Sequence, residues 1–160
     1  MSELLQLKCL SDVKKLISDI QTYRARPVIR GKHPTLYPER LEGKYRTIKG
    51  VRICDYQFSA DEKWVLPNSR MGLSFSSTWD NLQFVYSMFK KRSKKKPVDI
   101  YWVLSEADIP PGLKFIADKE NSGHYFLAVT ENMHIDQLVR KLEMVAHRMS
   151  VMKGGGNVLW

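Results

Sequence analysis

The segment at residues 106–129, EADIPPGLKFIADKENSGHYFLAV, contains two clusters of turn-forming residues. IPPG predicts a turn because proline fixes φ at about −65° and glycine adopts backbone angles that other residues avoid. KENSG predicts a second turn, and the apolar runs on either side of it, LKFIA and HYFLAV, are typical of strands. With the apolar run VDIYWVLS upstream, the segment predicts three consecutive antiparallel strands. A long helix cannot pass through these turns, so the C-terminal half of the chain must contain a sheet.

Apolar residues at helical spacing predict helices on both sides of this sheet. The first helix is predicted over residues 11–21, with Ser11 as its cap, and the second over residues 79–91, with Ser77 or Thr78 as its cap. A third helix is predicted to begin at Asn132 and to end at GGGN. Its apolar stripe consists of Ile135, Leu138, Val139, Leu142, Val145, Ala146 and Met149.

The middle of the chain adds shorter elements. GVRICDYQFS predicts a strand, ADEK a turn and KWVLP a second short strand. The sum is an α+β domain with an N-terminal helix, a mostly antiparallel β-core and a packed C-terminal helix. We expect one domain over residues 1–160, with its core at about residues 20–150 and a flexible tail at residues 151–160.

Charge and cysteine content limit the classes of protein to consider. The net charge is +9, and six of the 26 basic residues lie in the run KKRSKKK at residues 90–96. This run could contact a nucleic acid, an anionic surface or an acidic protein, or it could be a solvated connection. The two cysteines, Cys9 and Cys54, cannot form a disulfide framework, which favours a reducing cytosol. We expect neither a secretory signal nor a membrane span.

The segment MGLSFSSTWD at residues 71–80 is the first candidate for a binding site. Leu73 and Phe75 alternate with Ser74 and Ser76, so a strand would place the two serines on one face. The strand leads into a predicted helix, whose free N–H groups favour an anion such as a phosphate. The alternative is that the hydroxyls only cap the helix.

Arginine and histidine supply further candidates. Arginine suits a diphosphate because guanidinium donates two parallel bonds to phosphate oxygens. Arg24 is the preferred candidate because it follows an aromatic residue at a predicted strand start. Arg26, Arg30 and Arg40 are reserve candidates, and a solvated basic face is the alternative for each. His124 follows Gly123, which permits a close approach of the chain, so His124 is either a packing residue or a catalyst. No metal site is predicted, because the four histidines are scattered.

Several motifs of this chain resemble one family of proteins. ADIPPGLKFIADKENSGHYFLAVTENM resembles the C-terminal segment of cytotoxic bacterial effectors that are delivered by the type VI secretion system and have an ADP-ribosyltransferase-like fold. Residues 109–114 match the family's turn and strand, and His124 and Tyr125 match its later "GHY" strand. GLSFSSTWDNL resembles its glycine–serine–aromatic turn at Gly72 and Ser74, and TYRAR its early strand at Tyr23 and Arg24. PTLYPER at residues 34–40 is a rival for the last match.

The resemblance implies an antibacterial toxin with a split β-core that uses NAD as a substrate in the target-cell cytoplasm. Tyr23, Arg24, Ser74, Ser76 and Tyr125 would bind NAD. Catalysis would involve a glutamate that stabilises the oxocarbenium-like sugar as nicotinamide leaves. No Q/E-x-E signature precedes YWVLS. Asp99, Glu106 and Glu131 are the carboxylates near this strand system, and Glu106, in the turn between two strands, is the choice among them. The catalytic candidates are therefore Ser74, Glu106 and His124.

The resemblance also implies partners and a route. An immunity protein would neutralise the toxin in the producing cell, a component of the secretion system would carry it, and export would not need a signal peptide. Two other classes stay open. One is a basic toxin that acts on RNA or DNA, or a nucleic-acid-binding module, and the other is an immunity or adaptor protein without a site.

Overall fold

The computed structural model describes residues 24–29, 46–92, 97–103 and 109–152. The helix predicted over residues 11–21 lies outside these ranges. So do four candidate site residues: Tyr23, Arg30, Arg40 and Glu106. The elements of the described residues are, in chain order, β1 (Arg24–Ile29), β2 (Thr47–Ile48), β3 (Val51–Arg52), β4 (Gln57–Phe58), β5 (Trp64–Leu66), β6 (Leu73–Ser76), α1 (Trp79–Arg92), β7 (Val98–Val103), β8 (Leu113–Ala117), β9 (His124–Val129), β10 (Met133–His134), α2 (Ile135–Arg148) and β11 (Ser150–Met152). The prediction of an α+β fold with a mostly antiparallel sheet is confirmed.

The main sheet has six strands in the order β11–β7–β1–β6–β9–β8, and its neighbouring strands are antiparallel. β8 and β9 form the predicted hairpin. The expected pairing of β7 with β8 is wrong, because β1 and β11 occupy the two edges of β7 and the strands β1, β6 and β9 separate it from β8. A turn at IPPG changes the direction of the chain but does not select the strand beside which it returns.

The two described helices pack on opposite faces of this sheet. The stripe of α2 is buried against Leu73, Phe75 and Leu127 in the main hydrophobic cluster, as its spacing predicts. A second buried group outside that cluster consists of Ala25, Leu82, Tyr86, Val98, Ile100 and Ala128, and α1 contacts β1, β6 and β7 there. Successive residues of a strand face opposite sides, so both faces of the sheet are covered where these helices lie.

The helix α2 begins two residues later than predicted. His134, not Asn132, is its cap: Nδ1 of His134 accepts a hydrogen bond from the Asp136 N–H at 3.2 Å. The side chain of Gln137 accepts in turn from the His134 N–H at 3.1 Å, which completes a capping box. The prediction of Asn132 was wrong because a neutral imidazole nitrogen can accept this bond as an oxygen does.

The helix α2 also ends before GGGN. Met149 is extended, with φ −78° and ψ 143°, and its side chain is buried. Ser150, Val151 and Met152 then pair with β7, so two residues of the expected tail belong to the sheet. The Met149 N–H still donates to carbonyls of the helix, and the chain then continues as a strand beside β7, a partner that the local sequence does not reveal.

The segment GVRICDYQFS is not one strand. Its first part, β3, pairs with β2 across a turn at Lys49 and Gly50, which both have positive φ. Its second part, β4, pairs with β5 in a three-stranded sheet that includes β10. The residues between them place Tyr56 in the core, where only 2% of its surface is exposed.

The hydroxyl of Tyr56 joins β6 to β9. It donates to the Leu127 carbonyl at 2.8 Å and accepts from the Leu73 N–H at 3.3 Å, and these two residues are register partners. Burial raises the pKa of Tyr56 far above its ordinary value, so the hydroxyl keeps its proton. At Gly72 a Cβ would lie 2.6 Å from the Leu127 oxygen, so only glycine allows this approach.

We expect Tyr56→Phe to lower the free energy of unfolding by about 1–3 kcal/mol, because it leaves a buried N–H and a buried carbonyl without their partner. Urea unfolding at neutral pH measures the change. The slope of the free energy of unfolding against urea concentration should stay the same in the variant. If the free energy of unfolding falls by less than about 0.5 kcal/mol, as for an ordinary surface substitution, the prediction is wrong, and water replaces the hydroxyl as the hydrogen-bond partner.

Candidate functional site

Four of the predicted site residues lie at one end of three neighbouring strands. Arg24 begins β1, Ser76 ends β6 and His124 begins β9. Ala25 is the register partner of Ser76, and Ser76 is the register partner of His124. Tyr125 follows His124 in the same strand. Because successive residues of a strand face opposite sides, Ser76 and His124 lie on the face that α1 covers, whereas Tyr125, with Arg24 over its ring, lies on the face of the main hydrophobic cluster. The sheet therefore brings residues that are far apart in the sequence to one end, as two pairs on opposite faces.

Arg24 is buried among aromatic rings. Its side chain lies over Tyr125, with 3.9 Å between the guanidinium carbon and the ring centroid, and 5.8 Å separates it from the Phe115 centroid. Only 7% of the surface of Arg24 is exposed. A cation over an aromatic face is stabilised by the ring quadrupole. Arg24 and Tyr125, which were both predicted to bind NAD, are therefore in contact. The packing leaves little of the guanidinium at the surface.

The two serines of β6 differ in their surroundings. Ser76 is 2% exposed, and its hydroxyl donates to Oδ1 of Asn81 in α1 at 2.5 Å. Ser74 is half-buried, and its carbonyl accepts from the guanidinium of Arg26 at 3.0 Å. Leu73 and Phe75 are buried in the core between them, as the alternation predicts. Ser76 thus connects the end of the strand to the helix, and of the two serines Ser74 has the more accessible side chain.

His124 is held by an acidic residue that the sequence analysis missed. Its Nδ1 lies 2.9 Å from Oδ2 of Asp118, and the two side chains are 12% and 18% exposed. Oδ1 of Asp118 accepts from the Glu120 N–H at 2.9 Å. This bond, with the smaller effect of His124, holds the pKa of Asp118 below its ordinary value. The hairpin register contained the signal, because pairing Ala117 with Tyr125 makes Asp118 and His124 the next pair.

A contact between the β8–β9 hairpin and the start of α1 closes the site. Gly123 has φ +82°, and its carbonyl accepts from the Ser77 N–H at 2.8 Å. A Cβ at Gly123 would lie 2.4 Å from Oγ1 of Thr78. The same Oγ1 accepts from the Asn81 N–H at 3.3 Å, so Thr78 caps α1. The sequence predicted Ser77 or Thr78 as this cap. These bonds occupy groups that were expected to receive an anion.

Tyr23 and Glu106, and the reserve candidates Arg30 and Arg40, lie outside the described residues. Of the other carboxylates near these strands, Asp99 is buried in β7 and Glu131 is exposed. Within the described ranges, no three histidine, cysteine or acidic side chains are grouped as metal ligands would be. None of the helices in those ranges is long and apolar enough to cross a membrane.

Comparisons of the chain with protein-family models, with curated proteins and with solved structures find no match.

We expect Gly123→Ala to destabilise the protein more than Gly50→Ala does. Both glycines have positive φ, +82° and +86°, but a Cβ at Gly50 would meet nothing within 4 Å. Each substitution therefore has the same backbone cost, about 1 kcal/mol. The overlap with Thr78 adds about 1–3 kcal/mol in Gly123→Ala only. Urea unfolding of the two variants compares these costs. Equal losses would mean that the contact with Thr78 is easily displaced.

Proposed function

We propose that this protein is an antibacterial cytotoxic effector with an ADP-ribosyltransferase-like fold that acts on NAD in the cytoplasm of a target cell. The observation that supports this proposal best is that Arg24, Ser76, His124 and Tyr125 lie at one end of β1, β6 and β9, where Arg24 packs on Tyr125 and Ser76 lies opposite His124. Arg24, His124 and Tyr125 match the family's motifs in two separate segments of the sequence, and Ser76 is a candidate because it alternates with the apolar residues of its strand.

The proposed reaction breaks the bond between nicotinamide and ribose and transfers ADP-ribose to a nucleophile of the target. Arg24 would bind a phosphate of NAD, and Tyr125, on whose ring the Arg24 guanidinium packs, would line the base of the pocket. Ser74 would form the wall of the pocket, and His124 would contact the reacting groups. Glu106 stays the proposed carboxylate that stabilises the developing positive charge on the sugar.

The proposal also includes partners and a route. An immunity protein would neutralise the toxin in the producing cell, and a component of the type VI secretion system would deliver it without a signal peptide. The exposed basic residues Lys90, Lys91 and Arg92 in the last turn of α1 offer the charge to attract an acidic partner.

We expect the wild-type protein to arrest bacterial growth and to release nicotinamide from NAD. His124→Asn should reduce the rate of release by about 10²-fold or more, because general acid–base groups contribute at least that much. The matched control is His134→Asn, which removes the other described histidine that contacts an aspartate and keeps a residue type that caps helices well. Label transfer from NAD in a bacterial lysate and growth on induction are the measurements.

The other outcomes of that experiment separate the three classes of protein. A wild-type chain that neither arrests growth nor consumes NAD would contradict the proposal, and protection against a co-expressed toxin would indicate an immunity protein. If Ser74→Ala and His124→Asn keep full toxicity while folding normally, the toxin acts through another site.

A second candidate function, binding of a nucleic acid, is favoured by the basic last turn of α1. Lys90, Lys91 and Arg92 are all exposed, next to further lysines in the sequence. Cations at the C-terminus of a helix also stabilise its dipole, so these residues could serve α1 alone.

The basic turn is tested by replacing Lys90, Lys91 and Arg92 with glutamine. If the protein binds nucleic acid through this turn, the slope of log affinity against log salt concentration should fall by up to about 3, since each phosphate contact contributes about 0.9. The control replaces the exposed Lys63, Arg70 and Lys119, which removes equal charge elsewhere. Equal effects of the two triple variants would indicate attraction by net charge alone.

A further inference from the structure

We infer that Asp118 is the positioning residue of the candidate site: it holds His124 with the proton on Nδ1 and leaves Nε2 as the acceptor that removes a proton from the attacking nucleophile. The role of Nε2 in a reaction rests on the proposed function. The position of the proton does not, because it follows from the hydrogen bonds of the pair.

The carboxylate of Asp118 has both oxygens engaged. Oδ2 lies 2.9 Å from Nδ1 of His124, and Oδ1 accepts from the Glu120 N–H at 2.9 Å. An ionised carboxylate only accepts hydrogen bonds, so Nδ1 must carry the proton in this contact. A neutral imidazole has one proton, and Nε2 therefore has the lone pair.

The backbone fixes the same pair. The Asp118 N–H donates to the His124 carbonyl at 2.9 Å, and the His124 N–H donates to the Asn121 carbonyl at 3.2 Å. On its own strand, the ring of His124 contacts Phe126 edge to face, with 4.8 Å between the centroids. Asp118 and His124 are thus linked by a side-chain hydrogen bond and by backbone hydrogen bonds across the same turn. The two side chains therefore lose little conformational entropy when a substrate binds.

This arrangement supports the transfer of a proton to Nε2 of His124 while a hydroxyl attacks the ribose of NAD. Nε2 takes the proton of a hydroxyl, on the target or on water, as the hydroxyl oxygen forms a bond to the anomeric carbon of the ribose. The bond from that carbon to the nicotinamide nitrogen breaks, and its electron pair goes to the nicotinamide ring. The carboxylate of Asp118 stabilises the imidazolium that results, as in other histidine–carboxylate pairs.

The protein contains an internal reference for this assignment. His134 also lies near an aspartate, with 3.4 Å between its Nδ1 and Oδ2 of Asp136. There, however, Nδ1 accepts from the Asp136 N–H at 3.2 Å in the helix cap, so a neutral His134 carries its proton on Nε2. The structure thus assigns opposite tautomers to His124 and His134.

Nitrogen-15 NMR of histidine-labelled protein tests the assignment. For the neutral rings, we expect a proton on Nδ1 of His124 and on Nε2 of His134. In Asp118→Asn, His124 should lose the fixed Nδ1–H tautomer, because an amide can donate as well as accept. NAD turnover should fall by about 10²-fold. Asp118→Glu should restore the Nδ1–H tautomer in part, and Asp136→Asn should leave the signal of His124 and the turnover unchanged.

The outcomes separate this inference from the proposed function. An Nε2–H tautomer at His124 in the wild type would overturn the inference, whatever the protein does. So would an Asp118→Asn variant that loses the tautomer but turns over NAD normally. A wild-type protein with the expected tautomer but without NAD turnover or toxicity would overturn the proposed function and the catalytic role of Nε2 together, while Asp118 would stay the residue that orients His124. If Asp118→Asn unfolds, the wild-type and Asp118→Glu spectra still decide the tautomer.

Discussion

The hydroxyl of Tyr56 fixes the register on which the candidate site depends. It connects the Leu73 N–H to the Leu127 carbonyl, and three residue pairs further along the same two strands Ser76 lies opposite His124. Side chains alternate along a strand, so a slip by one residue would turn His124 to the other face of the sheet. Gly72 makes the close approach of the strands possible. The two hydrogen bonds of the Tyr56 hydroxyl therefore stabilise the register that places Ser76 opposite His124.

A second contact holds the other end of the same strand pair. Gly123 at the tip of the hairpin packs on Thr78, which begins α1, and the hydroxyl of Ser76 reaches Asn81 one turn into that helix. Each contact provides a hydrogen-bond partner for polar groups that would otherwise lack one, either in the interior or at the start of the helix. The candidate site is thus built on a strand pair fixed at both ends, which is the rigid support that catalytic side chains need.

The sequence predicted the parts of this fold that depend on local periodicity and turn chemistry. The apolar stripe of α2, the helix α1 and the β8–β9 hairpin are such parts. The partner of β7 could not be predicted, because β1 and β11 are distant in sequence and pairing depends on which edges are free. His134 was missed as a cap because imidazole is not among the usual capping groups. Asp118 was missed because its role appears only when the hairpin register is known. The roles of all the candidate site residues stay predictions, and Tyr23 and Glu106 lie outside the described residues.

The arrangement of α1 bears on how the two candidate functions relate. Its first turn contacts the site through Asn81, whereas Lys90, Lys91 and Arg92 lie in its last turn. A helix rises about 1.5 Å per residue, so roughly 15 Å of helix separates the basic turn from Asn81. At that distance charges in water interact weakly at physiological salt. In the proposed function, substitutions in the basic turn would therefore leave the chemistry at His124 unaltered, and the turn would attract an anionic partner without touching the substrate. The proposed toxin would recognise both a small substrate and a macromolecule, which requires two such separate surfaces.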